Sequence, residues 1–158
     1  MTISVNPLTQ ESYQVPDTID DKKAIKAFLS KHKGKKVIVV QGLGFVGAVM
    51  SLVCANAMDE DYAVIGVDLA NENTFWKIRS INEGIFPIIA DDPKIEEFFE
   101  RSRQKGNFFA TYDPAAYQYA DVVIVDINLD VQKKSSKERM LNDFDVDLSG
   151  FKLAIESI

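Results

Sequence analysis

Apolar residues along the chain fall into short dense runs separated by amphipathic stretches, and the two alternate regularly. Val37-Ile38-Val39-Val40 is a continuous β-branched run, the pattern of a central parallel strand covered on both faces. It leads into Gly42-Leu43-Gly44-Phe45-Val46-Gly47, and helical spacing then takes over through Val46, Val49, Met50 and Val53. Tyr62 to Asp68 reads as a second buried strand that ends in an acid. Trp76, Ile78 and Ile81 predict a helix closed near Gly84. Asp92-Pro93 and Asp113-Pro114 each set an N-cap acid before a proline suited to the first helical position. Between those two helices Phe108 to Thr111 reads as a short strand, and Ala120 to Asp126 follows as a strong one. Residues 128–147 are polar and charged and predict a surface loop with a helical turn at most. Leu148, Phe151, Ile155 and Ile158 then form one stripe of a final helix, with Asp147 as its N-cap.

Upstream, residues 1–18 carry two prolines and no period, so they are expected to lie on the surface or to be disordered. Thr18 to Ser30 predicts a helix capped by Thr18 or Asp20, with Ile25, Phe28 and Leu29 on one face. His32 to Lys36 breaks that pattern with a charged turn, which places His32 on the surface. The expected organisation is therefore a leader with a short helix over residues 1–35 and a main domain over residues 36–158. Strands and helices alternating in this order predict an α/β fold, a Rossmann-type doubly wound parallel sheet in a single domain. No C-cap glycine or further strand follows the last helical stripe, which leads us to expect a fragment of a longer protein.

Composition narrows the classes of function. A chain of 158 residues with 46% apolar and 27% charged positions is an ordinary globular domain able to bury a core. No apolar run approaches the roughly 18 residues needed to span a bilayer, so no membrane role is expected. The first residues lack the basic and apolar regions of a secretory signal. A single cysteine, Cys54, excludes an intrachain disulfide and fits a reducing cytoplasm. The net charge of −6 argues against nucleic acid as a partner, though not against one small phosphorylated ligand held by backbone N–H groups.

The glycine run carries the chemistry. A bare G-x-G-x-x-G is a weak signal, but here a buried strand precedes it, a helix follows, and Asp68 closes the next strand 21 residues past Gly47. Gly42 permits the tight turn, Gly44 lets a pyrophosphate approach the backbone, and Gly47 lets the helix lie close to the sheet. The N–H groups that start the helix, at Phe45 and Val46, face the phosphates. Asp68 is placed to accept hydrogen bonds from the adenosine ribose, and its charge favours NAD over NADP. FAD and S-adenosylmethionine bind related folds and remain alternatives. Asp126, Ile127 and Asn128 follow the last strong strand and are candidates to line the cofactor crevice, although Asp126 reads equally well as a strand-end acid facing solvent. Phe98-Phe99 and Phe108-Phe109 are assigned to the core. No His or Cys cluster suggests a metal site, and the alternating Asp143, Asp145 and Asp147 lack the glycine and closing glutamate of an EF-hand.

These segments together resemble the N-terminal domain of the UDP-glucose/GDP-mannose dehydrogenase family. Gly42 to Gly47 is similar to its G-x-G-(aromatic)-V-G loop, Lys77 to Gly84 to its K-V-x-x-L-N-x-G segment, and Phe86-Pro87-Ile88 to its P-I step. Phe108 to Asp113 and then Ala120 to Val125 resemble the family's short strand and its a-D-v-v strand. The resemblance runs from about Lys36 to the end. It departs where the family has a T-P pair, since this chain reads Asp126-Ile127-Asn128, and where Ala90 to Pro93 replaces E-P-G. The resemblance implies NAD as cofactor and a two-step oxidation of a nucleotide-sugar C6 hydroxyl to a carboxylate. It also places Lys77 near the adenosine ribose. In such a family the nucleophilic cysteine and catalytic lysine follow the first domain, so no catalytic residue is expected in this chain and Cys54 reads as a buried, inert thiol. The nucleotide-sugar substrate and a homodimer would likewise depend on later segments. Two rival readings stand beside this one: a stand-alone NAD-binding sensor module, and a Rossmann dehydrogenase for another CH–OH substrate.

Overall fold

The computed structural model describes residues 1–127, 131–135 and 141–158, with 131–135 and 141–145 described by their backbone alone. The chain divides into two compact units, Met1–Asp126 and Ile127–Ile158.

The first unit is organised by four parallel strands. β3 (Val37–Gln41) is an inner strand, paired with β4 (Ala63–Val67) on one side and β6 (Val122–Val125) on the other, while β5 (Phe108–Thr111) pairs with the far edge of β4. The order β5-β4-β3-β6 follows from the sequence. Runs without a polar face, such as Val37–Val40, are stable only where both sides of the sheet are covered. Val39, Val40, Val64 and Ile65 are accordingly fully buried. α2 (Phe45–Ala55) links β3 to β4, and α3 (Phe75–Glu83) and α4 (Pro93–Lys105) link β4 to β5. The chain then returns through a short 3₁₀ helix (Pro114–Tyr119) to place β6 on the opposite side of β3. The strand order thus reverses between β3 and β6, the switch point at which open α/β sheets form a ligand crevice outside the carboxyl ends of their strands.

Local signals explain most element ends. Asp92 caps α4 by accepting from the Lys94 N–H at 2.9 Å, with Pro93 at the first helical position. α3 and α4 close on Gly84 and Gly106, both left-handed at φ +86° and +62°, the conformation glycine adopts without a Cβ clash. Asp113-Pro114 starts a helix as expected, with Asp113 accepting from the Ala115 N–H at 2.8 Å, but the six residues form a 3₁₀ helix. α2 departs more instructively. Its buried face is Gly47, Ala48, Ser51, Leu52 and Ala55, while Val46, Met50 and Val53 stay exposed. Small side chains around Leu52 allow the helix to approach the sheet closely, and Val46, Met50 and Val53 are left outward.

The N-terminal segment is ordered, against expectation. β1 (Ile3–Val5) and β2 (Ser12–Gln14) form an antiparallel hairpin with Ile3 opposite Gln14 and Val5 opposite Ser12. Ser4 and Asn6 are fully buried, and Val15 joins the cluster of Phe75, Ile78 and Ile81. α1 (Lys22–Lys31) begins after Asp21, later than either expected cap, with Ile25 and Phe28 buried as its periodicity requires. His32 is buried too, not on the surface. Its Nε2 lies 2.7 Å from the Gly106 carbonyl and its ring is 4.7 Å from that of Phe28.

In the second unit, β7 (Val131–Ser135) and β8 (Leu141–Val146) pair antiparallel with Lys133 opposite Phe144. This corrects the loop expected over residues 128–147: charged residues alternating with apolar ones, as in Phe144-Asp145-Val146, carry the period of a two-sided strand. α5 (Ser149–Glu156) follows, and Asp147 accepts from the Ser149 N–H at 2.9 Å although the cap position itself is Leu148.

Candidate functional site

The crevice between β3 and β6 is floored by the glycine run. Gly42 turns the chain out of β3 at φ +90°, and its N–H donates to the Val67 carbonyl at 2.8 Å. A Cβ on Gly42 would lie 2.1 Å from the Asp126 carbonyl oxygen, so this corner accepts only glycine. Gly47 faces the same restriction, with its Cβ position 2.0 Å from the Gly42 carbonyl oxygen. Gly44 differs. It is the N-cap of α2 in extended backbone, and a Cβ there would meet nothing but the Asp126 Oδ2 at 4.0 Å. The space over Gly44 is therefore open to an approaching group, and no side chain caps the helix beneath it. The first N–H groups of a helix have no intrahelical acceptor, and together with the dipole they favour an anion. Phe45 and Val46 start that turn with side chains 62% and 57% exposed.

Leu43, between the first two glycines, points the other way. It is fully buried, and a Cβ on Gly66 of β4 would come within 2.5 Å of its Cδ2. The glycine loop is thus keyed into the sheet by its own leucine.

Asp68 stands at the carboxyl end of β4. Its Oδ2 accepts from the Leu43 N–H at 2.9 Å and its Oδ1 from the Leu69 N–H at 2.8 Å. Each oxygen keeps a second lone pair for a ligand hydroxyl. Behind it lies the buried Tyr117, hydrogen-bonded to the Gln41 side chain. Burial holds the Tyr117 phenol protonated far above its ordinary range, and the neighbouring Asp68 charge adds to that. Asp126 ends β6, its N–H donating to the Gln41 carbonyl at 2.9 Å. Its Oδ2 is 3.0 Å from the Cβ position of Gly47, which sets a carboxylate beside the first turn of α2.

The structure brings Gly42, Gly44, Phe45, Val46, Gly47, Asp68 and Asp126 to one crevice. Lys77 lies half-buried in the first turn of α3, with no ion pair among the described residues. Ile127 belongs to the second unit, and Asn128 lies outside the described residues. Cys54 is half-buried in α2, and burial pushes its thiol up, away from the reactive thiolate. Gln41 and Tyr117 were not foreseen. Nothing local marks them, because Gln41 meets Tyr117, and Tyr117 comes near Asp68, only once β3, β4 and the 3₁₀ helix are assembled. The crevice fits a dinucleotide: an uncapped helix end under open space, glycines where a methyl would intrude, and a carboxylate held at the end of the neighbouring strand.

Among the described residues no helix is long and apolar enough to cross a membrane. No curated protein sequence matches the chain. Two solved structures are similar to it. NDP-N-acetyl-D-galactosaminuronic acid dehydrogenase from Methanosarcina mazei Go1 is 24% identical over 84% of this chain and 26% of its own, with a TM-score of 0.61. UDP-D-ManNAc dehydrogenase from Pyrococcus horikoshii is 26% identical over 77% of this chain and 24% of its own, with a TM-score of 0.55. The chain thus spans about a quarter of the length of these relatives. The profile of the UDP-glucose/GDP-mannose dehydrogenase family, NAD binding domain, matches residues 35–158. The chain belongs to the UDP-glucose/GDP-mannose dehydrogenase family and carries its NAD-binding domain.

Proposed function

We propose that this chain is the cofactor-binding portion of a longer NAD-dependent enzyme that oxidises the C6 hydroxyl of a nucleotide sugar to a carboxylate. The observation that carries the reading is the open, uncapped end of α2 over Gly44, with Asp68 held beside it by the Leu43 N–H. NAD, when bound, supplies the hydride acceptor. The backbone of Gly42, Gly44, Phe45, Val46 and Gly47 receives its phosphates, Asp68 takes the adenosine ribose hydroxyls, and Asp126 borders the phosphates. Lys77, in the first turn of α3, is assigned to the adenosine ribose. The sugar nucleotide and the reacting groups belong to further chain, the complete enzyme is a homodimer, and its product is an acidic sugar precursor for polysaccharide made in the cytoplasm. The stoichiometry follows from the chemistry: oxidation of the alcohol to the carboxylate takes up one water and gives up two hydrides and three protons, so the complete enzyme reduces two NAD per sugar.

Calorimetric titration of the chain with NAD and NADP tests the dinucleotide reading. NAD is expected to bind more tightly than NADP by about tenfold, because Asp68 repels a 2′-phosphate. Asp68→Asn should weaken NAD and close that gap. Equal binding of both cofactors by the parent chain would overturn the assignment of Asp68.

Asp126 gives a second test of opposite sign. A carboxylate beside a pyrophosphate is a like-charge neighbour, so Asp126→Asn should tighten NAD about fivefold at low salt and less at high salt. A loss of affinity would instead make the carboxylate an acceptor for a ligand hydroxyl. No change at any salt concentration would remove Asp126 from the site.

A further inference from the structure

The N-terminal hairpin lies outside residues 35–158, the part that matches the family, yet it is bonded to the loop that follows Asp68. That loop, Leu69 to Thr74, leads from β4 into α3. Asn71 Oδ1 accepts from the N–H groups of Asn73 and Thr74 at 2.8 and 3.1 Å. Thr74 is the N-cap residue of α3, but its side chain makes no cap, because its hydroxyl is turned back to the Leu69 carbonyl. The start of α3 would therefore lack a side-chain acceptor. Ser4 supplies one from 72 residues away: its Oγ accepts from the Trp76 N–H at 3.0 Å and donates to the Glu72 carbonyl at 2.8 Å. One buried hydroxyl thus caps a helix in trans and ties down the crest of the loop.

The rest of the hairpin fixes that hydroxyl in place. Asn6, fully buried, donates through Nδ2 to the Ser80 Oγ at 2.9 Å and accepts from the Leu8 N–H at 2.8 Å. Tyr13 bonds Glu83 at 2.9 Å, and the Arg79 guanidinium lies over its ring. The hairpin therefore grips α3 along its length. At the other end of the loop, Asp68 Oδ1 accepts from the Leu69 N–H, which joins the carboxylate to the start of the loop.

We propose that the hairpin is a positioning element of the nucleotide site: Ser4 pins the 69–74 loop so that Asp68 is held for the adenosine ribose. The proposal rests on the dinucleotide reading above and adds a part of the chain that the family's matched region does not contain. Ser4 is a positioning residue and touches no ligand itself.

The test uses the whole chain. Ser4→Ala should weaken NAD about fivefold, as expected for the loss of one buried hydrogen-bonding group. It should also speed amide exchange at residues 69–76 while leaving β3, β4 and β6 unchanged. Ser4→Thr, which keeps the hydroxyl, should restore both. Ile38→Val near the amino end of β3, a mild destabilisation at the opposite end of the sheet from the loop, should leave NAD affinity and loop exchange as in the parent. NAD binding by the parent with unaltered affinity in Ser4→Ala would overturn this proposal alone. Exchange that rises throughout the sheet would reduce Ser4 to a general stabiliser and overturn it likewise. A parent chain that binds no NAD would fail the dinucleotide reading and this proposal with it, and would be recognised by the parent titration before any variant was made.

Discussion

Gly44→Ala is expected to fold as the parent does and to lose NAD affinity by about a hundredfold. The two halves of that expectation have separate physical origins. Gly44 has φ −67° and ψ −170°, extended backbone that alanine adopts freely, and its Cβ would meet no protein atom closer than the Asp126 Oδ2 at 4.0 Å. Only the weaker capping of an alanine is lost, so the thermal midpoint should stay within about 3 °C of the parent. The added methyl, however, stands in the open space above the helix end, where the proposed phosphate site lies. Paired calorimetry and thermal unfolding measure both halves. Retained NAD affinity in a folded Gly44→Ala chain would mean that the phosphates do not approach Gly44, and the site would have to be placed elsewhere.

Gly47→Ala should fail in the opposite way, through stability. Its Cβ would sit 2.0 Å from the Gly42 carbonyl oxygen and 3.0 Å from both the Gly42 carbonyl carbon and the Asp126 Oδ2. Backbone cannot swing aside as a flexible side chain does, so α2 would have to lift from the loop and from β4. A loss of roughly 3 kcal/mol is expected, a fall of about 6–12 °C in the thermal midpoint, with NAD binding lost alongside. Circular dichroism melts check this directly. An unchanged midpoint would show that helix and loop are not in such close approach. The two expected outcomes together separate what one motif combines, since Gly44 serves the ligand and Gly47 serves the helix.

What could be read from the chain was whatever is local or periodic. The β-branched run of β3, the acid at the end of β4 and the Asp92-Pro93 start of α4 announce themselves, because each depends on residues within a few positions. The glycine loop was legible for the same reason, and so was the parallel sheet that its neighbours imply. Burial that depends on distant partners was not. Ser4 and Asn6 are polar residues in a segment without period, and they are buried by hydrogen bonds to Glu72, Trp76 and Ser80. His32 sits in a lysine-rich turn and is covered only because Phe28 and the Gly106 carbonyl reach it. In α2 the hydrophobic spacing marked the helix but not its inner face. Close approach to the sheet selects Gly47, Ala48 and Ser51, which carry almost no hydrophobic signal. The strands β7 and β8 were hidden by charge, since Gln132 to Ser135 and Asn142-Asp143 are polar runs that read as a loop when only apolar residues are counted.

Leu43, set against the bare backbone of Gly66, bears on the thermodynamics of recognition. Glycine-rich segments usually lose much conformational freedom when a ligand orders them. Here the residue between the first two glycines is anchored in the interior, so the loop has surrendered that freedom during folding. Association with a dinucleotide therefore begins from a receptor already in shape, and its entropy should reflect the ordering of the ligand and the release of water rather than the freezing of the loop.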